Sequence, residues 1–512
     1  MRVFIYSLII FGALAYGDDA EDSNTPADLP PAAQATGGSA SGVGQAGPIQ
    51  LGPVTFSGSL RARFYDWDWF QPTTGQNQYE YSGNLLRLNF AEKLTAWDWD
   101  AEFAVPFLLG LPTKATDAAP QGALGLGSNY YSANGNQQNA AMIFPRQLYV
   151  RLDGIAGDEG QTLQLGRFIF LDGSETTPKD ATLATLKRDR IAQRLIGDFG
   201  FSDVGRSFDG VHYSLSGSSS NFTFVAAVPT RGVYQVDGWG WNDVAFGYAA
   251  YTREWGHGRH SADTRFFAIQ YDDWRPDLKT DNRPTAVRKT DTENILIYTF
   301  GAHSIHAIST TAGTVDFVAW GAGQTGRWGT LTQRAYAFDL EGGFQPKILP
   351  PGLAKLKPWL RAGFTDGSGD SNPNDKIHGT FFQLVPTPRP YARFPFYNMM
   401  NTQDLYGASI LRPYSKITIS SEFHSLRLSN PADLWYSGGG VYQPWTFGYT
   451  GRSTSGRRSL GNLYDTNVEY RANRHLMLTA YFGYTQGLAA MKLIYPDDKD
   501  GRFGYLELLY RF

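Results

Sequence analysis

The sequence contains no cysteine, which excludes a disulfide scaffold, a thiolate zinc site and a thiol nucleophile and leaves an oxidising compartment open. Beyond its first segment it also lacks any run of about 18 consecutive apolar residues, so spanning helices are excluded. If this chain crosses a bilayer, it must do so with strands in a closed barrel. A formal net charge of -3 offers no global basic field for nucleic acid. What is abundant is strand and turn chemistry: aromatics make up 15% of the chain, with 57 Gly, while mean hydropathy is only -0.33. The length of 512 residues decides little, because a large barrel reaches it as one domain.

The two ends carry more information. Arg2 precedes an apolar run from Val3 to Tyr16, followed by small residues at Ala15 and Gly17. This reads as a secretory signal peptide over residues 1–17, with an N-terminal anchor as the alternative. Residues 18–50 are poor in large apolar side chains and predict a flexible periplasmic tail. Residues 51–512 are left for a barrel. At the far end, Leu506, Leu508, Tyr510 and Phe512 fall on one face. A period-two face ending in a C-terminal Phe resembles the terminal strand that the barrel assembly machinery recognises in outer-membrane proteins.

Between the ends, period-two alternation predicts an all-β protein, a transmembrane antiparallel β-barrel of about 18 strands. The first strand alternates Phe56, Gly58, Leu60, Ala62 and Phe64 against Ser57, Ser59, Arg61, Arg63 and Tyr65. Further strands begin near Asn84, Trp97, Arg146, Thr162, Phe208, Phe222, Val244, Thr264, Ile295, Ile305, Arg334, Leu356, Asp404, Lys416, Leu460, His475 and Phe503. Links after even-numbered strands are mostly short, as at Thr95-Ala96 and Ala472-Asn473, and those after odd-numbered strands mostly long, as at 107–144, 170–206, 367–401 and 427–459. That parity is an outer-membrane pattern, which a soluble propeller or sandwich does not require. It places both termini on the periplasmic side and the 107–144 and 367–401 segments outside.

Apolar faces then meet lipid and the other faces line the lumen. The inward set is Arg61, Arg63, Arg87, Arg151, Arg361, Lys416 and Arg471, together with Asp98, Asp100, Glu102, Asp339, Glu341, Glu422, Asp465, Glu469 and Glu507. A lumen of both signs is also what a water-filled, salt-bridged porin would contain. Arg146 and Arg167 break the pattern, because each shares a face with leucines; at the midplane of the lipid face an arginine costs about 2 to 4 kcal/mol. Either they sit at the rim, or a bulge beside Pro145 and Gly166 turns them inward.

Several stretches resemble the alginate-export family of outer-membrane barrels. They include Gly58 to Arg63, Pro145 to Leu152, Leu165 to Phe168 and Gly205 to Val211. Further on come Gly367 to Pro373, Thr380 to Thr387, Asn401 to Leu405 and Ala432 to Tyr436. The resemblance covers most of the chain after about residue 50. It implies a barrel whose constriction is lined mainly by arginines and through which an anionic polysaccharide leaves the cell. By motif it assigns Arg61 or Arg63, Arg146, Arg167 and Arg206 to charged lumen positions, with Asp209 beside them. It favours the inward reading of Arg146 and Arg167. Guanidinium groups bind carboxylates bidentately, and a ladder of weak sites lets a polyuronate slide. Acidic lumen residues are at least as numerous as basic ones, so a net positive constriction does not follow from counting.

The expected function is therefore an outer-membrane channel for export or diffusion of an anionic, alginate-like polysaccharide or another acidic solute. The pore-lining set is Arg61, Arg63, Arg87, Arg146, Arg151, Arg167, Arg206, Asp209, Arg361, Glu469 and Arg471, with Arg61, Arg63, Arg87, Arg151, Arg167 and Arg206 converging on a narrow section. A general diffusion porin is the alternative, and an outer-membrane lipid hydrolase a third. No cofactor, metal or nucleic acid is expected; lipid, the solute, the assembly machinery and periplasmic export partners are. The oxygen-rich loop Asp366 to Asp375 lacks the closing Glu of a calcium loop and reads as a solvated turn. His424-Ser425 cannot form a hydrolase dyad, since neighbours on a strand point to opposite faces. His303 and His306 have no Ser or carboxylate at a useful sequence offset. The aromatic stretch Tyr391 to Tyr397 either enters the lumen or lies on the rim.

Overall fold

The computed structural model describes residues 48–119, 121–256, 258–387, 393–440 and 446–512. The expected signal peptide and nearly all of the expected tail lie outside the described residues. Eighteen long strands follow in chain order: β1 (Val54–Asp68), β2 (Gln78–Lys93), β3 (Trp97–Leu109), β4 (Phe144–Asp153), β5 (Gln161–Phe168) and β6 (Phe208–Ser216). Then come β7 (Ser220–Pro229), β8 (Val244–Trp255), β9 (His260–Asp273), β10 (Ile295–Ser309), β11 (Gly313–Trp328) and β12 (Leu331–Pro346). The last are β13 (Trp359–Gly367), β14 (Thr402–Tyr414), β15 (Ile417–Leu428), β16 (Ser459–Arg471), β17 (Leu476–Gly487) and β18 (Gly501–Arg511).

Each strand pairs antiparallel with its chain neighbours, and β1 pairs with β18 from Ser59↔Arg511 to Asp68↔Arg502, which closes the sheet into a barrel without an edge. The backbone of Phe512 bonds Gly58 in both directions, at 2.8 and 3.0 Å, so the last residue takes part in the closure. Phe64, Leu148, Leu165, Phe266, Phe300, Leu340 and Leu405 are exposed on the outer face. Exposed Trp97, Trp255 and Tyr414 lie at the short-turn end, and Trp241 and Trp274 at the long-loop end. An apolar band between two aromatic girdles is the surface a bilayer requires.

Two strand assignments change. Ile305 does not begin a strand; it lies inside β10, and the next strand starts at Gly313. Strands here reach 16 residues, longer than the roughly nine to eleven a bilayer needs, so two readings were placed on one strand. Glycines at 321 and 323 on the outer face of β11 erased its alternation. Lys416 is not a lumen residue: it is exposed in the turn before β15.

The long segments do not stand clear of the strands; from the long-loop end they fold into the barrel. Leu111, Leu124, Leu126 and Tyr130 of the first are buried, as are Phe381, Phe382, Leu384 and Val385 of the second. Tyr130 meets the inward ring of Tyr81 at 6.0 Å, and Phe382 meets Tyr271 and Trp328 at 5.5 and 5.0 Å. Segments carrying this much aromatic surface are driven off the exterior by the hydrophobic effect. Phe394 and Phe396 likewise pack on Phe70 at 5.9 and 5.5 Å, so the described part of the aromatic stretch lies in the lumen; Tyr391 and Ala392 lie outside the described residues.

Candidate functional site

Register fixes which side chains face inward, since residues opposite one another across a ladder share a face. From Arg61↔Leu85 and Ser59↔Arg87 through Asn89↔Glu102 and Glu102↔Gln147, one face carries Arg61, Arg63, Arg87, Asp98, Asp100 and Glu102. Arg146 joins them through a bulge. Glu102 pairs with Gln147 and Phe103 with Pro145, which leaves Arg146 as the extra residue. Its guanidinium turns inward and donates to Glu102 at 2.9 Å and Asp198 at 2.7 Å.

Asp198 belongs to the segment between β5 and β6, which crosses the lumen. Asp180 caps a short helix at Ala181–Leu186, accepting from the N–H groups of Thr182 and Leu183 at 2.9 and 3.0 Å. Beyond it, Lys187 pairs with Asp263 of β9 at 2.9 Å, Arg190 with Glu341 of β12 at 2.8 Å, and Arg194 with Asp339 of β12. The chain then swings to the opposite wall. Arg61 donates to the carbonyl of Gly200 at 2.8 Å, to that of Ser202, and to the Asp203 carboxylate at 3.2 Å. Arg63 donates to Glu507 and to the carbonyl of Phe201. The Tyr65 hydroxyl donates to Asp203 at 2.8 Å. Burial lowers the Lys187 ammonium despite Asp263 and Glu175, whereas Arg190 rises well above its usual range because Glu341, Tyr406, Glu422 and Asp339 together outweigh its burial.

Arg61, Arg63, Arg87 and Arg146 thus gather in one basic sector of the wall. Arg87 is half-buried, within electrostatic reach of Arg146, Glu102, Arg61 and Asp198. Arg206 anchors the end of the infolded segment, donating to the carbonyls of Pro386 at 2.9 Å and Gly440 at 3.1 Å.

The remaining expected residues lie elsewhere. Arg151 pairs with Asp98 near the short-turn end, and Arg471 ends β16 at that same end. Arg361 belongs to an acidic sector, bound to Asp316 and to Glu341 at 2.7 Å. Glu469 lies 3.5 Å from Arg393.

Arg167 and Asp209 require correction. Arg167 lies opposite the exposed Leu148 and opposite Asp209, so both point outward. Arg167 closes on Asp209 at 2.7 and 2.6 Å at the long-loop end of the strands. No bulge shifts this register, so the rim alternative holds for Arg167 and the bulge alternative for Arg146.

Other expectations resolve locally. The 366–375 loop is a solvated turn only in its second half: Ser371, Asn372, Asn374 and Asp375 are exposed, whereas Asp366 and Asp370 are buried, and Asp370 accepts from the N–H groups of Asn372 at 2.9 Å and Gly379 at 3.4 Å. Among the described residues no cluster suited to a metal ion occurs. His424 points inward to Asp404 at 2.8 Å and Glu422 at 3.2 Å, while Ser425 lies opposite Leu405 on the outer face. The expectation for the two other histidines is corrected: both have partners, and Ser304 stands two residues before His306, the spacing that shares a strand face. His303 bonds Asp263 at 2.8 Å. His306 bonds Ser304 at 2.9 Å and His260 at 3.1 Å on the outer face. Ser304 is laddered to Thr264 and Ala319, so ladder pairing on both sides engages the backbone groups that an oxyanion would need.

Sequence reasoning missed Lys187, Arg190, Arg194, Asp198 and Asp203 because they lie in a segment without periodicity. The available signal was the density of charge in a loop that also carries Leu183, Leu186 and Ile191.

The comparisons with known proteins agree with this architecture. OccK9 (OpdG) of Pseudomonas aeruginosa superposes with a TM-score of 0.56 at 11% identity, covering 90% of this chain and 98% of its own. OpdK of the same organism, crystallised with vanillate, gives 0.54 at 9% identity over 89% and 98%. OccAB4 of Acinetobacter baumannii gives 0.51 at 7% identity over 90% and 99%. These likenesses establish the fold. Among curated proteins no relative matches. The alginate export family model matches residues 146–486. That span is more than half of the sequence, and the chain is an outer-membrane β-barrel belonging to the alginate export family.

Proposed function

We propose that this barrel is a passive channel for an anionic polysaccharide, or a comparable acidic solute, whose carboxylates are taken by the basic sector of Arg61, Arg63, Arg87 and Arg146. The observation that carries this reading is that the sector already holds carboxylates from the infolded segment: Asp203 on Arg61 at 3.2 Å and Asp198 on Arg146 at 2.7 Å. Guanidinium forks against carboxylates are directional, and in a low-dielectric wall the field is focused where they cluster. Membership of the alginate export family agrees with that substrate class. Arg151 and Arg471 then serve as outlying cations at the short-turn mouth, which faces the periplasm together with both termini. Arg167 and Asp209 have no part in conduction.

A general diffusion porin is the second reading, favoured by the acidic sector of Asp263, Asp316, Asp339 and Glu341. The two differ in planar bilayers. The polyanion reading expects an anion-selective reversal potential and stronger block by soluble uronate oligomers than by neutral oligosaccharides of equal size. No preference for uronates would leave the general porin. Hydrolysis is not part of the proposal: purified protein should release no acyl chains from lipid, and turnover abolished by Ser304→Ala would contradict this.

A further inference from the structure

We infer that the 198–203 arm is a built-in competitor, occupying the carboxylate sites that a transported polyanion must take and yielding them by exchange. This rests on the basic sector being the substrate path.

The site under Asp203 is built for a carboxylate. The Asp203 side chain is fully buried, with Arg61 on one oxygen and the Tyr65 hydroxyl on the other. Below it the wall is notched at Gly83, which sits across the ladder from Arg63. A Cβ at Gly83 would lie 2.1 Å from the Asp203 Oδ2 and 2.6 Å from its Cγ, so only glycine admits the group. Asp198 fills a second site on Arg146 at 2.7 Å. Between them, the carbonyl oxygens of Gly200 and Ser202 accept from the two Nη groups of Arg61, and that of Phe201 accepts from Arg63. The arm therefore offers the wall a short run of oxygen acceptors with a carboxylate at each end. An acidic sugar chain offers the same chemistry.

The arm is held by these contacts against its own backbone preference. Within it Phe199 adopts a left-handed φ of 56°, a region costing a bulky side chain about 1 kcal/mol or more. Exchange keeps the energetics balanced. Stripping a buried guanidinium of its partner is strongly unfavourable, but swapping one carboxylate for another leaves no charge bare. The arm thus stays docked without substrate, which closes the basic sector to other solutes, and gives way to a polyanion.

The test uses the full chain in planar bilayers, with a soluble uronate oligomer and a neutral oligosaccharide of equal size as probes. Asp198→Asn with Asp203→Asn weakens the competitor while keeping its shape. The uronate concentration for half-block should fall by about tenfold, the effect of about 1.4 kcal/mol, with the neutral probe unchanged. A purely structural arm would move both probes alike or neither. Because the chain has no cysteine, Gly83→Cys with Asp203→Cys gives a single possible disulfide that pins the arm. Uronate block should vanish when it is oxidised and return on reduction. Wild-type block that neither variant changes, or a disulfide that fails to form, overturns the competitor. A wild-type pore indifferent to uronates overturns the transport reading beneath it as well.

Discussion

The basic and acidic sectors of the lumen wall are neutralised in different ways. On the acidic side the wall helps itself: Arg361 of β13 binds Asp316 and Glu341, and His303 of β10 binds Asp263. Lys187, Arg190 and Arg194 complete those pairs from a segment that follows a capped helix. On the basic side the wall supplies Glu102 and Glu507, and the rest of the counter-charge is on loan from one irregular arm. One segment thus presents cations to the acids and then acids to the cations. Totals of 45 basic and 48 acidic residues say nothing about which sector a solute meets; placement decides that.

The largest effect should come from reversing the basic sector. Arg61→Glu with Arg146→Glu sets glutamates beside Asp203 and Asp198, so the arm should leave the wall and the reversal potential should move strongly toward cation selectivity. An unchanged potential would make the two sectors equivalent.

A smaller effect is expected on the acidic side. Glu341→Gln leaves Arg190 and Arg361 each with a weaker buried acceptor, at a cost of about 3 kcal/mol. Hydrogen exchange across residues 181–194 should accelerate, while anion selectivity is kept or increased. Protection unaltered there would mean that the helix end is held by apolar contacts instead.

The next comparison is between two buried groups of neighbouring loops, His378 ahead of β14 and Asp433 after β15. Burial pushes the Asp433 carboxyl up to about 6, against the Thr380 hydroxyl and backbone N–H groups that favour its charge. Burial pushes His378 down to about 4, against Asp281. Unfolded, these groups titrate near 3.8 and 6.5. Folding therefore favours protonated Asp433, whose contribution grows as pH falls from about 6 to 4. It also favours neutral His378, whose contribution is lost as pH falls from 6.5 to about 4. The two oppose each other, so protection of residues 368–387 should change little over that range. Asp433→Asn should leave a loop that loosens in acid, and His378→Gln one that tightens. Hydrogen exchange corrected for intrinsic rate reads both, and the same slope in both variants would refute the assignment.

The smallest effect concerns the outer rim. Arg167→Ala loses the rim ion pair with Asp209, at a cost of about 1 kcal/mol or less, and should leave conductance and selectivity unchanged. A changed reversal potential would return Arg167 to the lumen.

How much of this was legible in the sequence follows from periodicity. On strands, period two assigns a face. Arg61, Arg63, Arg87 and Glu507 accordingly face inward, closure follows from the lack of spanning helices, and the parity of connections supports the strand count. Where glycines at 321 and 323 removed the alternation, a strand was displaced to Ile305. Arg146 and Arg167 looked alike as exceptions because a bulge leaves no mark in one strand's sequence; only the pairing of Glu102 with Gln147 separates them. Asp198 and Asp203 were beyond reach for a different reason. An irregular segment has no face, and its partners at Arg61 and Arg146 are set by a fold that brings together residues far apart in the chain.

The most direct measurement is the reversal potential of wild-type protein in a planar bilayer under a salt gradient, before and after addition of a soluble uronate oligomer. An anion-selective potential, with current reduced by the uronate and not by a neutral oligosaccharide of equal size, is the expected result. A cation-selective pore indifferent to uronates would contradict the claim that the basic sector forms the path.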